Sequence, residues 1–225
     1  RAGWLVVCET PLPGPCNAFV APKFESAWRH QRQFDAVGGD MPVGIPDHGA
    51  RACESLARRL LTPRRTASVF SSPIRPILSI NDYGKACETR HAIEGKRMST
   101  QSFFIMEKIA EIDAVIRGRS DFAAKLYEVH PEVSFAALGG GEPMLHSKRD
   151  PAGFDERFEH LTDVFPATAI EDVLDAFPRT DVAPDDVLDA FAVLWSTKRI
   201  ALSTAERMPK EPEYDSLGID MAIWY

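Results

Sequence analysis

Hydrophobic positions along the chain change period several times, and each change marks an element. Leu5, Val6 and Val7 follow Gly3-Trp4 as a short apolar strand over 3–9, stopped by Pro11, Pro13, Gly14 and Pro15. Residues 17–21 read as a second strand closing a hairpin. Phe24, Ala27, Trp28 and Gln31 recur at i, i+3, i+4 and i+7, which predicts a helix over 24–34. A third strand is expected over 36–43, ended by Pro42 and Pro46. Ala52, Leu56 and Leu60 then share one face of an amphipathic helix over 49–61, with Arg51, Arg58 and Arg59 on the other. After a Pro-, Arg- and Ser-rich loop over 62–76, helices are expected over 82–93 and 99–117. The second has Ser99 as N-cap and ends before Gly118. The strand period returns over 122–129, and by alternation Leu126, Glu128 and His130 point one way. Helices follow over 154–165, 169–177 and 184–203, the last being the longest strongly apolar one. Residues 208–225 read as a Pro- and Glu-containing tail ending in Trp224-Tyr225.

The order is hairpin, helix, strand, helical insertion, strand, helices. This predicts one α/β domain over 1–225 with a mixed sheet flanked by helices, not a repeating doubly wound fold. The helical insertion occupies about 47–118. Because Arg1-Ala2-Gly3-Trp4 runs straight into Leu5, the chain is expected to start inside a hairpin, with an earlier strand missing.

The 225 residues suffice for a core without disulfide or metal staples. At 44% hydrophobic and 26% charged, the chain is neither disordered nor fibrous. No apolar run reaches the roughly 18–20 residues that span a bilayer, so no membrane partner is expected. Cys8, Cys16, Cys53 and Cys87 form no C-x-x-C pair and no zinc spacing with histidine. They read as reduced thiols of a cytoplasmic protein. The formal net charge of -7 argues against a wholly basic surface but leaves room for a local basic groove.

Several carboxylates stand where burial should discourage them. Asp40 closes a short strand at its carboxyl edge, where α/β sheets carry their chemistry. It is either a functional group or an Asx-type turn. Glu128 lies among strand residues and needs a partner, because an unpaired buried charge is very unfavourable. Glu132 follows Pro131 at that strand's end, and His130 reads more readily as a structural histidine than as a ligand. On the helix opened by Pro184, Asp185 suits the helix dipole, and Asp186 does so in part. Asp189 does not, because apolar residues surround it. Asp186 and Asp189 are i, i+3 neighbours on one face. Two close carboxylates repel unless a cation lies between them, and hard oxygen ligands suit Mg²⁺ or Mn²⁺. Arg51, Arg58, Arg59, Arg64, Arg65 and Lys148-Arg149 form a basic complement. It is either a solvated face or a phosphate-contacting surface. Gly139-Gly140-Gly141 lacks the following helix that a phosphate loop needs.

The segments Gly39-Asp40-Met41-Pro42-Val43-Gly44-Ile45-Pro46, Ser68-Val69-Phe70, Glu128-Val129-His130-Pro131-Glu132-Val133-Ser134-Phe135, Asp185-Asp186-Val187-Leu188-Asp189-Ala190 and Ile223-Trp224-Tyr225 occur in an order that resembles domain-of-unknown-function family 429. That family is generally described as RNase H-like nucleases. The resemblance implies an RNase H-like mixed sheet and a two-metal carboxylate nuclease, with two Mg²⁺ or Mn²⁺ ions roughly 4 Å apart hydrolysing phosphodiesters of DNA or RNA. It implies Asp40, Asp186 and Asp189 as catalytic metal ligands and Glu128 or Glu132 as a further ligand or a base for water. Arg51 and Lys148 become substrate contacts. The Asp186-x-x-Asp189-Ala190 spacing is similar to that of the Holliday-junction resolvase branch. Family members place a Gly-x-Asp-Gly turn just before the Arg-x-Gly-Trp seen at Arg1 to Trp4, and that aspartate is not in this sequence. Asp220-Met221-Ala222-Ile223 also lacks the carboxylate expected beside Ile223. The competing expectations are a non-catalytic binding scaffold and an actin-like nucleotide-binding or phosphoryl-transfer protein.

Overall fold

A computed structural model describes residues 3–9, 15–28, 34–118 and 124–225. Strands β1 (Trp4–Glu9) and β2 (Cys16–Ala21) form the hairpin, antiparallel with Trp4 opposite Ala21 and Glu9 opposite Cys16. Helix α1 (Phe24–Trp28) follows; the rest of the expected helix up to residue 33 lies outside the described residues.

A second sheet holds β3 (Val37–Gly39), β4 (Leu126–Val129), β5 (Arg207–Met208) and β6 (Ile223–Trp224), in the order β3-β4-β6-β5. The first three neighbours run parallel, and β5 is antiparallel to β6. The fold is therefore mixed α/β. Strand β3 is shorter than the 36–43 expected. Beyond it, the Val43 N–H donates to the Glu128 carboxylate at 2.8 Å instead of joining a ladder. The tail, read as irregular, supplies two central or edge strands of two residues each, too short to carry a period.

The insertion contains α2 (Ala52–Leu60), α3 (Tyr83–Glu94), α4 (Thr100–Phe104) and α5 (Met106–Gly118). Asp82 caps α3 through the Lys85 N–H, and Ser99 caps α4 through the Ser102 N–H. Ile74, Ile77, Ala86, Met98 and Met106 give this segment a small core of its own. Helix α5 turns Ile112 and Ile116 toward Leu126, Phe24 and Val43, covering one face of the second sheet.

Helix α6 (Pro131–Leu138), not assigned from the sequence, follows β4 directly. Pro131 lacks only an N–H that a first-turn residue would leave unused, so it starts the helix instead of ending a strand. The three glycines after α6 close it: Gly139 and Gly141 donate to the carbonyls of Phe135 and Ala136. Then come α7 (Pro151–Thr162), α8 (Ala167–Ala176) and α9 (Pro184–Ala201). Their apolar faces meet in the largest core, which includes Phe135, Leu161, Phe165, Ile170, Leu188 and Phe191. Gly38 lets α9 lie low on β3: a Cβ there would fall 2.1 Å from Thr197 Oγ1 and 2.9 Å from Val193 Cγ1. Among the described residues no helix is long and apolar enough to cross a membrane.

Candidate active site

Asp40 leaves the end of β3, while Asp186 and Asp189 leave the first turns of α9. All three line one cavity of about 770 Å³. Asp40 is solvent-accessible through that cavity, yet protein surrounds it, and its pKa lies well above the carboxylate range. Desolvation is the main cause; the charge of Asp189 comes next, and Glu128 and Asp186 add to it against the pull of Lys148. Asp189 is buried, and its pKa is pushed up to about 6. Burial dominates there too; Glu132 and Asp185 push the same way, and Lys148 opposes them.

Lys148 is the one cation set into this group by the contacts of the described residues. Its Nζ lies 2.5 Å from Asp189 Oδ2 and 3.7 Å from Asp185 Oδ2. Burial works against its charge, but Asp189, Asp40 and Asp185 together hold its pKa above the usual lysine range. The other Asp189 oxygen, Oδ1, is buried without a hydrogen-bond partner. Asp186 accepts the Ala183 N–H at 3.2 Å, closing the first turn of α9.

Glu128 and Glu132 sit elsewhere in the electrostatic layout. Arg51 donates to both oxygens of Glu128, at 3.1 Å to Oε1 and closely to Oε2, and also to the Val43 carbonyl at 3.0 Å. Burial still leaves the Glu128 pKa raised against the pull of Arg51. Glu132 receives Arg157 on both oxygens, at 2.7 and 2.9 Å, inside the core. These glutamates are therefore committed to arginines and do not line the cavity. Arg51, expected to touch phosphate from the surface, is wholly buried, so its guanidinium faces Glu128 instead of solvent. Arg58 and Arg65, from the same basic run, donate to the carbonyls of Val69 and of Met144 and Leu145. Lys148 remains part-exposed, but its ammonium is held by aspartates. His130 is half-buried with Nε2 3.3 Å from the Ser68 carbonyl, and desolvation lowers its pKa.

Sequence reasoning read Lys148 as a substrate contact, where the structure sets its ammonium against Asp189, and it missed Arg157 altogether. The signal for Arg157 was the run Gly153-Phe154-Asp155-Glu156-Arg157-Phe158, a helix turn whose apolar neighbours bring the arginine inward.

In kind, the oxygens of Asp40, Asp186 and Asp189 suit Mg²⁺ or Mn²⁺, and the orphan Asp189 Oδ1 is an oxygen such an ion would satisfy. In their present placement, no three His, Cys, Asp or Glu side chains among the described residues are grouped to hold an ion. The Lys148 ammonium also occupies Asp189 Oδ2, so a metal bound through that oxygen requires Lys148 to withdraw.

The profile of one family, described as protein of unknown function (DUF429), matches residues 1–214. This chain belongs to domain-of-unknown-function family 429. No curated protein and no solved structure matches it.

Proposed function

We propose that this family 429 chain is a metal-dependent RNase H-like phosphodiesterase acting on DNA or RNA at the Asp40–Asp186–Asp189 wall of the cavity. The observation that carries the reading is this convergence: two aspartates of α9 and one from β3, roughly 150 residues apart in sequence, line one cavity. Desolvation, and after it the charge of Asp189, raises the Asp40 pKa, and an oxygen of Asp189 has no partner. Asp40, Asp186 and Asp189 are the residues that would hold Mg²⁺ or Mn²⁺. Such an ion supplies an activated water and stabilises the leaving oxygen. The chain's own contribution is to hold the aspartates at the junction of a strand end and a helix start. Lys148 stands in for the cation until substrate and metal arrive, and once withdrawn from Asp189 it is free to meet a phosphate.

A second reading, a non-catalytic binding scaffold, draws on the Lys148–Asp189 pair itself, which already neutralises the most buried aspartate.

Thermal melts and cleavage assays together separate the two. Mn²⁺ at about 100 times its Kd stabilises the folded state by about 2.7 kcal/mol under the first reading. Asp189→Asn removes most of that gain and lowers cleavage of labelled single- and double-stranded DNA and RNA by about 100-fold or more. The scaffold reading gives no metal-dependent melt, no cleavage of any of these substrates, and a loss of stability on substitution.

A further inference from the structure

Phe70 is 40% exposed in the Arg- and Pro-rich loop between α2 and α3. A lone exposed apolar side chain is ordinary. The backbone that carries this one is held unusually firmly. The Ser68 carbonyl lies 3.3 Å from His130 Nε2, and Ser68 Oγ donates to the Arg65 carbonyl at 2.7 Å. Arg58 donates from Nε to the Val69 carbonyl at 3.1 Å and from Nη2 to Ser71 Oγ at 2.9 Å. Ser102 Oγ donates to the Ser71 carbonyl at 2.8 Å, and the Ser72 N–H donates to the buried Glu54 carboxylate at 2.9 Å. Side chains from α2, α4 and the end of β4 thus fix the loop on both sides of Phe70, while Phe70 itself stays exposed. A partner that meets this ring does not have to order the loop first.

The loop lies at the edge of the sheet where Asp40 emerges. Strands β3 and β4 run parallel with Gly39 opposite Glu128, so Asp40 and His130 leave neighbouring strands at the same edge, and His130 meets the loop at Ser68. A second tie runs from Arg65 to the carbonyls of Met144 and Leu145, at 3.0 Å each, shortly before Lys148 and its contact with Asp189. The surroundings are cationic. Residues 55–81 hold five arginines and no carboxylate, in a chain of net charge -7. Arg75 is engaged by Asp113 and Asp215, but Arg59 and Arg64 are exposed. A fixed aromatic ring amid excess positive charge matches a nucleotide, with the base on the ring and phosphates on the guanidinium groups. A duplex hides its base faces against one another, so this match needs an unpaired base.

We propose that Phe70 is the stacking platform for an unpaired nucleobase of single-stranded DNA or RNA, with Arg59 and Arg64 meeting the flanking phosphates. The choice of nucleic acid over an acidic peptide rests on the phosphodiesterase reading. It gives that reading a substrate class: a strand that is not base-paired where it crosses the loop. Every base has a π-face, so stacking here brings little sequence preference. The arginines act through charge, and their share of the binding weakens as salt rises.

Fluorescence anisotropy with labelled oligo-dT and oligo-U of about 15 nucleotides, in EDTA, reads binding without cleavage. The protein should bind both single strands, and a blunt duplex of the same length about 10-fold more weakly. Phe70→Ala and Phe70→Leu should each weaken single-strand binding by about 10-fold or more, and Phe70→Trp should preserve it. After subtraction of the wild-type signal, the added tryptophan emission should be quenched by bound oligonucleotide. Arg64→Gln should lower the slope of log Kd against log salt by about 0.7. Unchanged affinity in Phe70→Leu, or an unquenched tryptophan under saturating oligonucleotide, overturns the platform. Tighter binding of the duplex overturns the substrate class. Failure to bind any strand, or Phe70-dependent binding of poly-glutamate in their place, overturns nucleic acid as the occupant. Because Phe70→Trp keeps an aromatic ring, its binding separates lost stacking from general damage to the loop. Cleavage alongside Phe70-independent binding sinks the platform alone, whereas Phe70-dependent binding without metal-dependent cleavage sinks the hydrolysis alone.

Discussion

Two groups of acids lie within one fold and are treated in opposite ways. Glu128 and Glu132 each meet an arginine on both oxygens, and neither borders the cavity. The aspartates at Asp40 and Asp189 share one flexible lysine, leave an oxygen unpartnered, and line open space. A planar guanidinium satisfies a carboxylate in a fixed fork, whereas an ammonium is a movable point charge. The first group is built to stay as it is. The second is built to exchange its cation, which is why the site reading rests on the aspartates and not on the more deeply buried glutamates.

The largest effect should come from breaking an arginine fork. Arg157→Ala leaves Glu132 buried and uncompensated and should cost about 3–5 kcal/mol in urea denaturation. Replacing both partners with leucine should recover most of that loss, because no charge is then stranded. A small cost for the single variant would remove the contrast between the two groups.

A pH series on Asp189 comes next. Its folded pKa of about 6 exceeds the unfolded value near 3.9, so folding takes up a proton between those values. Relative to Asp189→Asn, the wild type should therefore lose stability as pH rises from about 4 to about 6, by roughly 2–3 kcal/mol. Below about 4 the difference between the two proteins should stop changing. A stability difference that is flat across this window would mean that Lys148 compensates Asp189 fully.

Lys148→Gln should have the smallest effect, about 1 kcal/mol at neutral pH, because the lysine side chain is part-exposed. Its sharper readout is the Asp189 carboxyl resonance, which should titrate above pH 6 once the ammonium is gone. A titration that moves downward would contradict the pairing.

Much of this layout was legible in the chain. Asp40 at a strand end and the i, i+3 pair on an apolar helix stand out because residue type and local period disagree there. What stayed hidden depends on distance along the sequence. Arg51 and Glu128 are 77 residues apart, and nothing local marks Arg51 as an internal cation rather than one more surface arginine. The helix from Pro131 to Leu138 was not assigned, because a short apolar stretch fits strand and helix alike and Pro131 can end one or begin the other. β5 and β6 were invisible because two residues carry no period.

Gly38 gives these aspartates a mechanical setting. Asp40 is two residues further along the chain, just past the end of β3, and Asp189 is two helical turns before Thr197, the residue a Cβ at 38 would strike. The height of α9 above β3 is thus set by a hydrogen atom where other residues carry carbon. An alanine at this position would act as a shim, lifting the helix and opening the gap between the two aspartates while altering neither of them. In this protein the gauge of the acidic cluster is an atom that is missing from the strand, not a group present in the site.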